Sequence, residues 1–152
     1  YGAGNIRSVM RALERLDEPG VITSDPDVVR KATRLILPGV GSFDAAVRHL
    51  RSHHLHQSLE EKVLKDKTPI LGICLGLQLF TERSEEGTEP GLGWIPGETR
   101  RFRPATPGIK VPHIGWNEVE YAGDSALWNG LPALPSFYFV HSYYVTCRLE
   151  SS

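Results

Sequence analysis

The 152-residue sequence holds two cysteines, and Cys74 has the setting in which a thiol can do chemistry. It stands between Gly72 and Gly76 in GICLG, where the apolar run TPILGI meets a helical pattern. G-x-C-x-G is the cysteine form of the nucleophile elbow, a sharp strand-to-helix corner that exposes the reactive atom. Side chains at the two glycines would collide with neighbouring backbone in such a turn. Leu75, the next residue, can aim its backbone N–H at a developing oxyanion, and a helix starting there favours the thiolate. Taken alone, the pentapeptide fits a small buried cysteine between two chance glycines equally well.

A second stretch supplies context. LPGVGSF, residues 37–43, also lies where a strand-like run, RLIL, comes to its carboxyl end, the place at which open α/β sheets bind ligands. Gly39 and Gly41 flank Val40, so the backbone can turn its amides toward a ligand and give a second oxyanion donor. An ordinary strand-to-helix turn also favours Gly and Pro. The two loops together are more specific than either.

These loops need elements to position them. Ile6, Val9, Met10, Leu13 and Leu16 recur at helical spacing behind Asn5 as N-cap, and Asp25 with Pro26 opens another helix. GVIT, RLIL and TPILGI read as strands. Phe43, Val47 and Leu50 form a helical stripe that Leu55, Leu59 and Val63 continue after a break, and Leu75, Leu79 and Phe80 share one side of the helix after Cys74. This rhythm predicts an open, mostly parallel sheet flanked by helices. After Gly87, LGWIPGETRRF, KVPHIGWNEVEY and SFYFVHSYYVTC predict additional strands, several antiparallel, with a short helix at SALWNG.

Composition narrows the class. The length predicts one domain, and 40% hydrophobic with 23% charged residues is ordinary for a globular chain. A formal net charge of −1 without a basic block argues against nucleic acid and anionic membranes. No run is long enough to span a bilayer, no signal-peptide pattern opens the chain, and two cysteines make no disulfide framework, so a reducing cytoplasm is the expectation.

LPGVGSF, ILGICLGLQLFTERSEEG, KVPHIGWNEV and FYFVHSYY, in that order and spacing, resemble the class I (triad) glutamine amidotransferases, with their flavodoxin-like fold. PHIGWN and FVHSYY bring the resemblance closest to the glutaminase subunits of imidazole glycerol phosphate synthase, in histidine biosynthesis. It runs over nearly the whole chain. The resemblance implies that Cys74 attacks the glutamine side-chain amide, while the Val40 and Leu75 amides hold the oxyanion. Gly39, Gly41, Gln78, Glu86, Ser142 and Tyr143 would bind glutamine, and His113, Trp116, Asn117 and Tyr138 would face a cyclase partner of barrel fold. It implies no metal and no organic cofactor. The alternatives are another triad amidotransferase, such as that of anthranilate synthase, and a non-catalytic regulatory module of the same fold.

The family's histidine followed two residues later by glutamate is not found: His49, His53, His54, His56, His113 and His141 all lack a carboxylate at that offset. The expectation is therefore a chain cut at both ends, without its first strand and its catalytic base, and inactive as it stands. Other motifs carry weaker signals. HLRSHHLH places His49 and His53 one helical turn apart, more in keeping with a solvated helix face than a zinc site. The G-x-G of YGAG lacks a third glycine in register for a dinucleotide site, Glu86 taken alone is an ordinary helix end, and Cys147 reads as a core residue.

Overall fold

The structure, a computed structural model, describes residues 5–106, 108–121, 123 and 125–148. The YGAG of residues 1–4 and the last four residues lie outside that set. The chain divides into two units, one running to Arg101 and resuming at Tyr144, the other Phe102–Tyr143.

The first unit opens with helix α1 (Ile6–Arg15), where the Asn5 side chain accepts from the Ser8 amide at 3.3 Å, and α2 (Pro26–Lys31), where Asp25 accepts from Asp27 at 2.9 Å. Both caps are as expected. GVIT between them is irregular, with Val21 79% and Ile22 57% exposed, because no described strand lies beside it to take its backbone hydrogen bonds. Strand β1 (Leu35–Gly39) leads into α3 (Phe43–Ser52). A left-handed His54 (φ 56°) breaks the helix before α4 (Leu55–Glu60), which runs on as a π-helical turn, Glu61–Lys65. Strand β2 (Ile70–Cys74) then pairs with β1 in parallel, from Leu35 opposite Ile70 to Gly39 opposite Cys74. Phe43, Val47 and Leu50 of α3, Leu55 and Leu59 of α4, and Leu37 of β1 are buried in one core with Leu75, Leu79 and Phe80. Each such side chain contributes about 1.5–3 kcal/mol through removal from water.

Helix α5 (Leu75–Gln78) is a single turn, shorter than the apolar stripe predicts. The carbonyls that would continue it are taken elsewhere: Gln78 by the Thr81 hydroxyl at 2.8 Å, Leu79 by the Leu92 amide at 2.8 Å, Phe80 by the Ile95 amide at 2.9 Å. The chain enters strand β3 (Thr81–Ser84) instead, which pairs in parallel with β4 (Ile95–Arg101). β4 lies between β3 and β7 (Tyr143–Cys147).

The second unit is built on an antiparallel hairpin, β5 (His113–Glu118) with β6 (Ser136–His141), from His113 opposite His141 to Glu118 opposite Ser136. A 3-10 turn, Ala126–Trp128, stands where SALWNG predicts a helix, and Trp128 stacks on Tyr121 at 4.9 Å. The strands thus form three separate sheets among the described residues, β1–β2 parallel, β5–β6 antiparallel and β3–β4–β7 containing the parallel β3–β4 pair, in an α/β architecture.

Candidate active site

Cys74 ends β2 with φ 54° and ψ −117°, a conformation in which a residue with a Cβ costs about 1–3 kcal/mol. The thiol is free and exposed. The flanking glycines are required by contact. A Cβ on Gly72 would lie 2.5 Å from Leu77 Cα, and one on Gly76 would overlap the carbonyl oxygen of Leu37 in β1. The elbow is therefore pressed against the neighbouring strand and its own helix. Leu75, buried, begins α5, where first-turn amides have no acceptor within a helix. The single turn gives a weaker dipole than the longer helix of the sequence reading.

The register sets the second loop beside this corner. Gly39 is the strand partner of Cys74, so Val40, Gly41 and Ser42 leave β1 at the edge where the thiol stands. Gly41 has φ 94° and Val40 is 53% exposed. Gln78 is buried one turn beyond the cysteine. Gly39, Val40, Gly41, Cys74, Leu75 and Gln78 thus belong to one strand pair and its exits.

Glu86 joins the same region through a bond the sequence does not announce: its Oε2 accepts from the Phe43 amide at 3.0 Å. Asp44 answers in the opposite direction, accepting from the amides of Thr88 and Glu89, each at 3.0 Å. The Glu89 and Thr88 amides hold the Asp44 carboxyl below the ordinary carboxylate range. Arg51 donates to Glu89 at 3.0 Å and closes the outer side.

Ser142, Tyr143 and the expected partner residues belong to the hairpin unit. The Ser142 carbonyl accepts from the Phe102 amide at 2.9 Å, and the Tyr143 carbonyl accepts from His141 Nδ1 at 2.9 Å. That bond places a proton on His141 Nδ1, so in the neutral ring Nε2 accepts from His113 Nδ1 at 3.1 Å. His113 Nε2 in turn faces Asn117 Nδ2 at 3.4 Å. The pleat divides the four residues expected at the partner: Trp116 and Tyr138, edge-to-face at 5.6 Å, lie on one face, with His113 and Asn117 on the other.

Cys147 corrects the sequence reading. It is exposed, not buried, and lines an open cleft of about 570 Å³ on the β3–β4–β7 sheet with Glu82, Arg83, Glu98, Arg100 and Arg148. The end of β7 runs along Gly97 and a row of ion pairs, Arg83–Glu98 at 2.7 Å among them, so its last side chain meets charge and water. Hydrogen bonds from Arg83 and Arg100 hold the Glu98 carboxyl low. His49 and His53 stack at 4.1 Å, and among the described residues no three His, Cys, Asp or Glu side chains are placed to share a metal ion. None of the described helices is long and apolar enough to cross a membrane.

A cysteine on a positive-φ corner at the carboxyl end of a parallel strand pair, with a glycine loop in register, has the geometry of a nucleophile elbow at the ligand-binding end of an α/β sheet. A solved glutamine amidotransferase shares the fold, with a TM-score of 0.68 over 97% of this chain and 70% of that one, at 19% identity. The family model "Glutamine amidotransferase class-I" matches residues 2–152. The imidazole glycerol phosphate synthase subunit HisH of Microcystis aeruginosa is 52% identical over 146 residues, 95% of this chain and 68% of the relative. The subunit of the same name from Nostoc punctiforme is 49% identical over the same shares. The chain belongs to the class I glutamine amidotransferases and, among them, to the family of the imidazole glycerol phosphate synthase subunit HisH.

Proposed function

We propose that this protein is the glutaminase subunit of an imidazole glycerol phosphate synthase, supplying ammonia to a cyclase partner of barrel fold in the cytoplasm, in histidine biosynthesis. The observation that carries the reading is the strained Cys74 corner placed opposite Gly39 by the β1–β2 register. The relatives' name, subunit of imidazole glycerol phosphate synthase, supports the assembly.

In this reading the Cys74 sulfur attacks the side-chain amide carbon of glutamine. Negative charge passes to the carbonyl oxygen, where the Leu75 and Val40 amides receive it. Once the proton given up by the Cys74 thiol is returned to the departing nitrogen, collapse expels ammonia and leaves a glutamyl thioester, which water cleaves to glutamate and the free thiol. Gly39, Gly41 and Gln78 line the approach from the strand pair, Glu86 receives the substrate ammonium, and Ser142 and Tyr143 are further glutamine contacts on the strength of the family resemblance alone. The thiolate is the nucleophile, so the reaction calls on no metal or organic cofactor. No base is assigned to His113 or His141, whose ring nitrogens are engaged with each other, Asn117 and a carbonyl. Residues 1–152 contain no histidine with a carboxylate two positions on.

Cys74→Ala is the direct test. Glutamine-dependent synthesis with the partner should disappear, and ammonia-dependent synthesis should persist. Glutamine turnover near the parent rate would remove Cys74 from the chemistry.

A further inference from the structure

Between Gly39, fixed opposite Cys74, and Phe43, the first residue of α3, the chain has only Val40, Gly41 and Ser42 in which to aim an amide at the thiol. Packing does little to hold them. Val40 and Ser42 are exposed, and a Cβ on Gly41 would meet nothing within 4 Å. The aim of this span therefore depends on its two ends. One end is the strand register. The other is the start of α3, whose N-cap Ser42 has the extended backbone and the residue type for capping but makes no side-chain cap bond. The Phe43 amide, which no residue of its own helix can accept, is held by Glu86 from 43 positions away.

Glu86 is itself placed. Its amide donates to Ser84 Oγ at 3.1 Å, and the loop that follows it is pinned by Asp44. A carboxylate has acceptor sites on both oxygens, and Oε2 alone serves Phe43. We propose that Glu86 is a positioning residue as well as a substrate contact: one oxygen anchors α3 and so sets the aim of the Val40 amide, and the other meets the glutamine ammonium. The part about the ammonium rests on the glutaminase reading above. The anchoring does not.

The two roles separate in variants of the full chain assayed with its partner. Glu86→Gln keeps a carbonyl oxygen for the Phe43 amide and loses the charge. It should raise KM for glutamine, leave kcat within about twofold, and leave Phe43 hydrogen exchange slow. Glu86→Ala removes both, and a displaced amide should lower kcat by about 10–100-fold as well, with faster exchange at Phe43. Should Glu86→Ala fail to fold, Glu86→Asp, which keeps the charge and loses a methylene of reach, should show the same kcat loss and faster exchange. Equal kcat and equal Phe43 exchange in the shortened and Gln variants would overturn the anchoring. A parental KM in Glu86→Gln, with kcat still lost in Glu86→Ala, would instead overturn the ammonium contact and leave the anchoring standing.

Discussion

Cys74 is costly in isolation: a non-glycine residue at φ 54° persists only where its surroundings over-determine it. Gly76 is the residue that does so, since its missing side chain lets α5 rest on the Leu37 carbonyl. Gly76→Ala forces one methyl into that contact. It should cost about 1–3 kcal/mol, the usual range for overpacking, and displace the thiol from the Gly39 edge. Thermal unfolding and glutaminase rate together measure it. A variant with the parent's melting temperature and rate would mean that Gly76 is not what seats the elbow. The G-x-C-x-G spacing made this corner legible in advance, because the collision is local. Cys147 was not legible. It closes the largely apolar run FYFVHSYYV, and most of the charge in the cleft that it lines comes from β3 and β4, remote in sequence.

The start of α3 is held by carboxylates from two directions, and that element carries a pH dependence. The Asp44 carboxyl is held below its ordinary value chiefly by the Glu89 and Thr88 amides. A depressed native pKa means stability that is fully present above the unfolded-state value and is lost as pH falls through the native one. Asp44→Ala should therefore be less stable than the parent at neutral pH. The gap should narrow as acidification passes through the carboxylate range and below it. Urea midpoints of the pair between neutral and strongly acidic pH test this, and a gap that stays constant would deny the clasp its role. The resemblance reaches Glu86 as a substrate contact, but the anchoring bonds of Asp44 and Glu86 are not legible in sequence, since their partners are backbone amides about 44 positions away. β3 escaped for a related reason: TERS has a strand's company but not its composition, and only pairing with β4 and the Thr81–Thr99 hydroxyl contact at 3.2 Å make it one.

The hairpin unit presents an apolar face on which Ile114 pairs with Val140 and Trp116 with Tyr138, all well exposed. Exposed aromatic residues of this kind serve as anchors in subunit interfaces. With Trp116 72% exposed, its truncation should spare the fold. We expect Trp116→Ala to weaken association with the synthase partner by about 2 kcal/mol, roughly 30-fold in Kd, with unfolding unchanged. His113→Ala, on the opposite face, is the natural contrast. A titration in which Trp116→Ala binds as the parent does would take that face out of the interface.

By itself the sequence determined what is local or periodic. The Asn5 and Asp25 caps, the α3 stripe of Phe43, Val47 and Leu50, and the break before Leu55 all stand where spacing places them. So does the glycine–cysteine elbow, and residue order sufficed for the resemblance to the family. The tertiary structure decided what depends on partners distant in the chain. GVIT is no strand because no described neighbour completes its hydrogen bonds, and α5 stops after one turn because Leu92 and Ile95 take the carbonyls that a longer helix would use. The pleat set His113 and Asn117 apart from Trp116 and Tyr138. Register placed Gly39 beside Cys74, and a carboxylate at position 86 fixed the first amide of α3. Spacing along a chain encodes which face a side chain takes; it does not encode which remote group will meet it there.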